Sequence, residues 1–160
     1  MGLMRMLMGP SEYTSEQLLG KTIVDIYTIK HIMVYNKDQT KIIEEREELS
    51  REVKNGDDNI VFETSDGTCF KYNHWQDCCE SVAIEDISGD LNDLIGSPVT
   101  MAEETSGNNP DAGESGTWTF YKFATVNGYV TIRWFGESNG YYSESVDLDV
   151  YEKTADRNKN

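Results

Sequence analysis

The pattern of apolar and polar residues is most regular in the last third of the chain. Three stretches rich in β-branched and aromatic residues, 117–125, 129–136 and 141–150, are separated by Asn127-Gly128 and Asn139-Gly140. Asn-Gly between two strand patterns is the strongest short-range signal of a hairpin, because its residues adopt a positive φ at little cost. The pattern therefore predicts an antiparallel meander of three strands.

Alternation of side chains divides this meander between two faces. The inward face of its last two strands is predicted to hold Val130, Ile132, Trp134, Val146, Leu148 and Val150. The opposite face of the middle strand is predicted to hold Tyr129, Thr131, Arg133 and Phe135. Because Phe120 and Tyr121 also point to opposite faces, alternation cannot bury every ring. Some aromatic side chains are therefore expected at the surface, under another element or at an interface.

The earlier part of the chain is predicted to contain further strands and two helical segments. The strand predictions cover residues 21–29, 31–36, 60–63, 68–72, 81–87 and 99–104, with a turn at Ser65-Asp66-Gly67. Asp38–Asn55 has four apolar residues among Glu and Arg, with Asp38 as N-cap and Gly56 after its end. This pattern predicts a thin, charged amphipathic helix, and a long insertion between strands is the alternative. A second, short helix is predicted at Asp90–Ile95.

Together these elements predict an α+β fold, in which an antiparallel sheet packs with about two helices in a single domain, residues 21–150. Residues 1–20 show little periodicity and are predicted to form an N-terminal arm, a candidate for disorder, while residues 151–160 form a C-terminal tail. A polar loop is predicted at 105–116, which contains no large apolar residue. Its two interpretations are a segment that orders over a ligand and a mobile loop without a role.

The charge of the chain is strongly negative. Its 160 residues include 29 acidic and 14 basic ones, for a net charge of −15. Nucleic-acid binding relies on Lys and Arg to neutralise phosphates, so no direct nucleic-acid binding is expected. The charge is explained either by solubility or by a surface that meets a basic protein partner.

Cysteine usage and hydropathy predict a soluble protein of a reducing cytoplasm. The three cysteines cannot all pair within one chain, and a disulfide between the adjacent Cys78 and Cys79 is not expected, because the short span would strain it. The first ten residues are too short for a signal peptide. No apolar run approaches the roughly 20 residues of a membrane span.

Catalytic and metal-binding patterns are weak. Cys69, His74, Cys78 and Cys79 hold the right ligand types for zinc, but their spacing lacks the C-x2-C knuckle, so small buried thiols are the preferred interpretation. A cysteine nucleophile with His74 as its base has still less support. No phosphate-binding loop or nucleophile-elbow motif occurs. The sequence therefore predicts no catalytic residue, metal or cofactor, and a protein that is not an enzyme.

Arg133 is the most informative polar residue. Between Tyr72 and Val150 the only other Lys or Arg is Lys122. Arg133 is predicted to share its face with Tyr129 and Phe135, and an Arg among rings suits a phosphate or a purine. The alternative, favoured by the residues alone, is an Arg paired with a nearby carboxylate with its stem packed on rings.

Three segments resemble a small family of proteins of bacteriophages and prophages. They are HWQDCCESVAIEDISGDLNDLIG (74–96), TWTFYKFAT (117–125) and IRWFGESNGYYSESVD (132–147). This family is similar to the phage anti-Thoeris sponge proteins, which bind cyclic ADP-ribose isomers or cyclic oligonucleotides, do not degrade them, and assemble as dimers or higher oligomers. The charged segment 38–55 departs from the shorter N-terminal part expected of that family.

The resemblance implies a phage anti-defence protein in the bacterial host cytoplasm that sequesters a cyclic nucleotide signal and self-associates. A pocket of Arg, Asn and aromatic residues is implied, and the residues predicted to form it are Trp118, Phe120, Tyr129, Arg133, Phe135 and Asn139. The alternative function is an acidic mimic of nucleic acid that caps a basic host protein, such as a nuclease or a CRISPR effector. An enzyme that cleaves the nucleotide is a third, weaker interpretation.

Overall fold

The fold is built from two antiparallel β-sheets. A computed structural model describes residues 13–50, 52–108 and 114–153. Its strands are β1 (Ile23–Tyr35), β2 (Ile42–Ser50), β3 (Asn59–Thr64), β4 (Thr68–Asn73), β5 (Ser81–Ser88), β6 (Met101–Asn108), β7 (Ser115–Thr125), β8 (Gly128–Ser138) and β9 (Asp147–Glu152). One sheet has the order β2-β1-β3-β4-β9 and the other β5-β8-β7-β6. Over these residues the only helices are two short 3₁₀ helices, Ser15–Leu18 and Leu91–Leu94.

The core lies between the two sheets, as in a β-sandwich. Aromatic rings from β3 and β4 meet rings from β7 edge to face, with centroids 5.0 Å apart for Phe62 and Phe123 and 4.7 Å apart for Tyr72 and Tyr121. Edge-to-face contact is the favoured geometry of such pairs. The centre of β8 adds its inward residues, Val130, Ile132 and Trp134, all buried as their alternation predicts.

The prediction of an α+β fold with two helices is wrong, because the chain is mostly antiparallel sheet. The segment 38–55 holds strand β2, which pairs with β1 from Ile42 opposite Tyr35 to Ser50 opposite Thr28. Its Glu and Leu residues favour a helix locally, but pairing with the neighbouring strand overrides a weak propensity. The helix predicted at Asp90–Ile95 is a single 3₁₀ turn, Leu91–Leu94.

The predicted meander is correct in its first hairpin and wrong in its second. β7 and β8 pair along their whole length, from Thr125 opposite Gly128 to Ser115 opposite Ser138. After β8, residues 139–146 form a loop instead of a tight turn, and β9 crosses to the other sheet, where it pairs with β4. Leu148 is nevertheless buried, and Val150 on β9 and Val146 in the preceding loop are partly buried against the core, so the inward direction predicted for these residues is confirmed.

Several predicted boundaries also shift. The strands predicted at 21–29 and 31–36 are one continuous strand, β1. In the predicted arm, residues 1–12 lie outside the described part, whereas Leu18 is fully buried in the core. The predicted loop 105–116 is shortened because β6 continues to Asn108 and β7 begins at Ser115; residues 109–113 lie outside the description. In the predicted tail 151–160, the first two residues belong to β9 and Lys153 follows it, while residues 154–160 are not described.

Strand β1 changes partner along its length. It pairs with β3 as far as Tyr27, opposite Val61, and with β2 from Thr28 onward. The side chain of Asn59 closes the ladder with β3, since its amide oxygen accepts from the N–H of Ile29 (2.7 Å) and its amide nitrogen donates to the carbonyl of Ile29 (2.8 Å). Beyond this point β1 and β2 form a two-stranded ribbon. None of the described helices is long and apolar enough to cross a membrane.

Candidate functional site

Four of the predicted ligand-binding residues lie together on the outer face of the four-stranded sheet. Trp118 is opposite Phe135, and Phe120 is opposite Arg133, on the neighbouring strands β7 and β8. The rings of Trp118 and Phe135 are 4.6 Å apart, and the guanidinium carbon of Arg133 lies 5.0 Å from the centroid of Trp118. All four side chains are partly exposed, whereas the residues that alternate with them at the centre of both strands are buried: Thr119, Tyr121, Ile132 and Trp134. We call this group the aromatic–arginine face.

The charge of Arg133 is partly satisfied within the protein. Its terminal nitrogen donates to the carboxylate of Glu85 at 3.2 Å, and both side chains are exposed, by 38% and 41%. An exposed pair of this kind is worth only about 0–1 kcal/mol. The Nε of Arg133 is buried and has no hydrogen-bond partner among the described residues. Arg133 therefore matches the alternative interpretation of the sequence, an Arg paired with a carboxylate and packed on a ring. Because the ion pair is weak, another anion could replace Glu85.

The other two predicted residues do not join this face. Tyr129 lies at the opposite end of β8, opposite Ala124, and is half exposed. Asn139 lies in the loop after β8, where its side-chain oxygen accepts from the N–H of Tyr141 at 2.9 Å. The carboxylate of Glu85 was missed by sequence reasoning. Alternation along β5, which pairs with β8, is the signal that could have placed it on the same face.

A buried polar cluster, formed by His74 and Glu80, joins the segment before β5 to the loop after β8. Nε2 of His74 lies 2.9 Å from Oε2 of Glu80, and the two side chains are exposed by only 3% and 0%. Nδ1 of His74 lies 2.7 Å from the carbonyl oxygen of Ser145, to which it donates. His74 thus fastens the loop 139–146 to the segment that precedes β5.

Glu80 is held as a carboxylate by several donors. The backbone N–H groups of Cys78 and Asp77 donate to its two oxygens, each at 2.9 Å. Burial acts to raise the pKa of Glu80, but these bonds together with that from His74 outweigh it and lower the pKa to about 2. The spacing H-x5-E was visible in the sequence, but nothing there indicated that the two side chains would meet.

The Cys-His constellation considered from the sequence does not assemble. Cys69 is a buried thiol on β4, packed with Tyr27, Ile29 and Val61 on the outer face of the five-stranded sheet. Both ring nitrogens of His74 are engaged, as described above. The expectation that Cys78 and Cys79 would not pair is wrong, because the structure joins their sulfur atoms in a disulfide between adjacent residues.

Comparison with protein-family models matches residues 16–148 to a domain of unknown function, DUF7448. The chain belongs to this family. No curated protein and no solved structure matches it. The DUF7448 match includes β1 to β8, and therefore both the aromatic–arginine face and the His74–Glu80 pair.

Proposed function

We propose that this protein binds a nucleotide-type ligand on the aromatic–arginine face and holds it without altering it chemically. The observation that carries the proposal is the position of Arg133 over Trp118, beside Phe120 and Phe135, on a solvent-facing sheet surface. Exposed rings on an antiparallel sheet offer stacking surfaces for bases, worth about 1–3 kcal/mol for each base. A guanidinium beside them can bind a phosphate through two parallel hydrogen bonds.

The negative charge of the chain does not oppose this proposal strongly. Charges further than about 8 Å from the ligand are screened at physiological salt. The carboxylate that matters is that of Glu85, because it lies 3.2 Å from the guanidinium of Arg133. When a phosphate replaces Glu85, Arg133 loses a weak exposed ion pair and gains two parallel hydrogen bonds to the phosphate oxygens.

The resemblance to the phage proteins suggests the biological setting. In that setting the ligand is a cyclic nucleotide immune signal, a cyclic ADP-ribose isomer or a cyclic oligonucleotide. The protein binds it stoichiometrically in the cytoplasm of the bacterial host and so removes it from solution. Sequestration of this kind needs affinity and no catalytic group. Self-association, as a dimer or a higher oligomer, belongs to the same proposal.

The proposal is tested by capture. The purified chain is mixed with lysates of bacteria whose cyclic-nucleotide defence is active, washed and denatured, and the released small molecules are identified by mass spectrometry. We expect release of an intact cyclic nucleotide, loss of that release with Arg133→Ala or Trp118→Ala, and tighter binding with Glu85→Gln. Lys71→Ala, which removes a positive charge from a strand of the other sheet, is the matched control and should leave capture unchanged.

Three results would contradict the proposal. Release of nothing from several signal-producing lysates would exclude sequestration. Release of a cleaved nucleotide would show an enzyme instead of a sponge. Equal loss of binding with Lys71→Ala and Arg133→Ala would show a charge effect of the whole chain and not a site at Arg133.

A second function has one structural observation in its favour. Strand β2 is an edge of the five-stranded sheet, and its nine residues include Glu44, Glu45, Glu47 and Glu48 with Arg46 as their only basic neighbour. An acidic edge strand suits a basic protein partner, such as a nuclease that the chain would cap. This alternative predicts capture of a basic host protein that weakens steeply as salt rises and that is unaffected by Arg133→Ala.

A further inference from the structure

A polar cavity of about 330 Å³ lies at the end of the sandwich, away from the aromatic–arginine face. One wall is the inward side of β6 and β7, where Glu104 is opposite Tyr121 and Ser106 is opposite Thr119. These residues alternate with Phe120, so they point to the opposite side of the sheet from it. The other wall is the loop 139–146, which contributes Tyr142 among others.

The walls of this cavity are fixed by bonds of their own. Thr117 on β7 donates to the carboxylate of Glu144 in the loop at 2.7 Å, and Ser138 donates to the other oxygen of the same carboxylate. The loop is also held from outside by His74, through the carbonyl of Ser145. A site whose walls are held in place loses little entropy when a ligand enters.

The chemistry of the lining excludes two ligand classes. Six of its eleven residues are Ser or Thr, two are the carboxylates Glu104 and Glu144, and none of these lining residues is Lys, Arg or His. Two carboxylates without a cation would repel a phosphate or another anion. A purely apolar ligand would find only Val146 and the ring of Tyr142 to pack against.

Both carboxylates already accept hydrogen bonds from hydroxyl groups of the protein, which argues against a site for a cation. Burial acts to raise the pKa of Glu144, but hydroxyl donors, Ser138 first, outweigh it and hold the pKa below its ordinary value. Glu104 accepts from the hydroxyl of Tyr121, whose pKa is raised far above its usual range, by burial first and then by the charge of Glu104. Each carboxylate keeps further lone pairs, since two oxygens offer about four acceptor positions.

We propose that this cavity is a second binding site, for an uncharged ligand rich in hydroxyl groups, of the monosaccharide or cyclic polyol class. Ser and Thr hydroxyls both donate and accept, and carboxylates accept, so together they match a ligand that carries several hydroxyls close to one another. The lining supplies one aromatic ring for the C–H face of a sugar, that of Tyr142, whose centroid lies 5.0 Å from that of Tyr141. The volume is at the small end of ligand pockets, which suits a single sugar ring.

The site is tested by titration of the ¹⁵N-labelled full chain with D-glucose, D-mannose, N-acetyl-D-glucosamine and myo-inositol, followed by NMR. We expect saturable shifts for at least one of these ligands, concentrated at residues 104–106, 117–119 and 142–146. Thr119→Val keeps the shape of a buried side chain and removes its hydroxyl, so affinity should fall roughly fivefold to tenfold. Ser106→Ala, on the exposed part of the wall, should act in the same direction.

The controls separate this site from the proposed nucleotide face. Thr131→Val lies on the outer side of β8 and should leave sugar binding unchanged, and so should Arg133→Ala. Binding of a neutral ligand should also be the same at low and high salt. The proposal is overturned if none of the four ligands gives saturable shifts, or if Thr119→Val and Ser106→Ala both bind as tightly as the wild type. It is also overturned if methylammonium binds in the same place with strong salt dependence, because the cavity would then be a cation site.

Discussion

His74 and Glu80 meet 2.9 Å apart at a place where neither side chain has appreciable contact with solvent. The pair lies between two loops, and the second ring nitrogen of His74 binds the carbonyl of Ser145, 71 residues further along the chain. Burying such a pair is costly unless its remaining donors and acceptors are satisfied. Here they are, through the backbone of Asp77 and Cys78. This pair therefore acts as a fastener for the loop that forms one wall of the polar cavity.

Removal of His74 should loosen that loop. In His74→Ala the carboxylate of Glu80 stays buried with one donor fewer, so we expect a loss of about 3 kcal/mol in the free energy of unfolding. Hydrogen exchange should accelerate over residues 139–146 and stay unchanged in the hairpin of β7 and β8. Urea unfolding and exchange measured by mass spectrometry test both effects. The matched control is Ser143→Ala in the same loop, and a similar loss there would show that the loop is generally fragile and that His74 has no special role.

The stability of the fold should depend on pH through Glu80. Its pKa in the folded protein is about 2, below the ordinary value of 4.5, so its contribution is fully present above pH 4.5 and is lost as the pH falls toward 2. Glu80→Gln removes this titration. Between pH 5 and pH 2.5 the free energy of unfolding should therefore fall more in the wild type than in Glu80→Gln. Identical slopes for the two proteins over that interval would refute the role assigned to Glu80.

Gly136 should tolerate no side chain. A Cβ at this position would lie 2.6 Å from the carbonyl oxygen of Glu144 and 3.0 Å from its Cβ. Gly136→Ala would push the loop away from β8, and we expect a loss of about 1–3 kcal/mol, as for other overpacked sites. Gly107 in β6 has nothing within 4 Å of such a Cβ, so Gly107→Ala is the matched control and should be neutral or slightly stabilising. Thermal unfolding followed by circular dichroism compares the two variants.

Asn59 should control where β1 leaves the five-stranded sheet. Its amide both donates to and accepts from the backbone of Ile29, and it also receives the hydroxyl of Thr28 at 3.0 Å. Asn59→Ala leaves buried backbone groups without partners, at about 1–3 kcal/mol. Asn59→Asp keeps the acceptor but places a buried negative charge against the carbonyl oxygen of Ile29 and the carboxylate of Asp58, so it should cost more than Asn59→Ala. Exchange at Ile29 and along the ribbon should follow the same order, and an unchanged rate at Ile29 in Asn59→Ala would contradict this account.

The strands β7 and β8 were predictable from the sequence, whereas the strand within segment 38–55 was not. Alternation identified the buried residues of β8 because successive side chains of a strand point to opposite faces of the sheet. In 38–55, Glu, Arg and Leu favour a helix locally, whereas the deciding interaction is the pairing of Glu44 with Val34 and of its neighbours with the rest of β1. The residue types within this segment do not indicate that it will pair with β1, because strand formation depends on the neighbouring strand.

The candidate site divides in the same way. The aromatic–arginine face was predictable because Arg133 and Phe135 are two residues apart on one strand. The polar cavity was not predictable, because the contacts that form it join residues far apart in the sequence, Thr117 to Glu144 and His74 to Ser145. The Asn139-Gly140 signal misled for a related reason: Gly140 does adopt a positive φ of 93°, but Ser138 and Glu144 hold a wide loop there instead of a hairpin.

The ribbon of β1 and β2 gives the molecule a natural place for a label. Its turn, residues 37–40, is exposed throughout and is closed by its own bonds, with Asn36 accepting from the N–H groups of Asp38 and Thr40 at 3.1 Å. Exposed loop tips of this kind accept insertions well, since no buried backbone depends on them. A short peptide epitope or a fluorophore placed between Asp38 and Gln39 would let the protein be followed in a lysate or a cell with both proposed ligand sites intact.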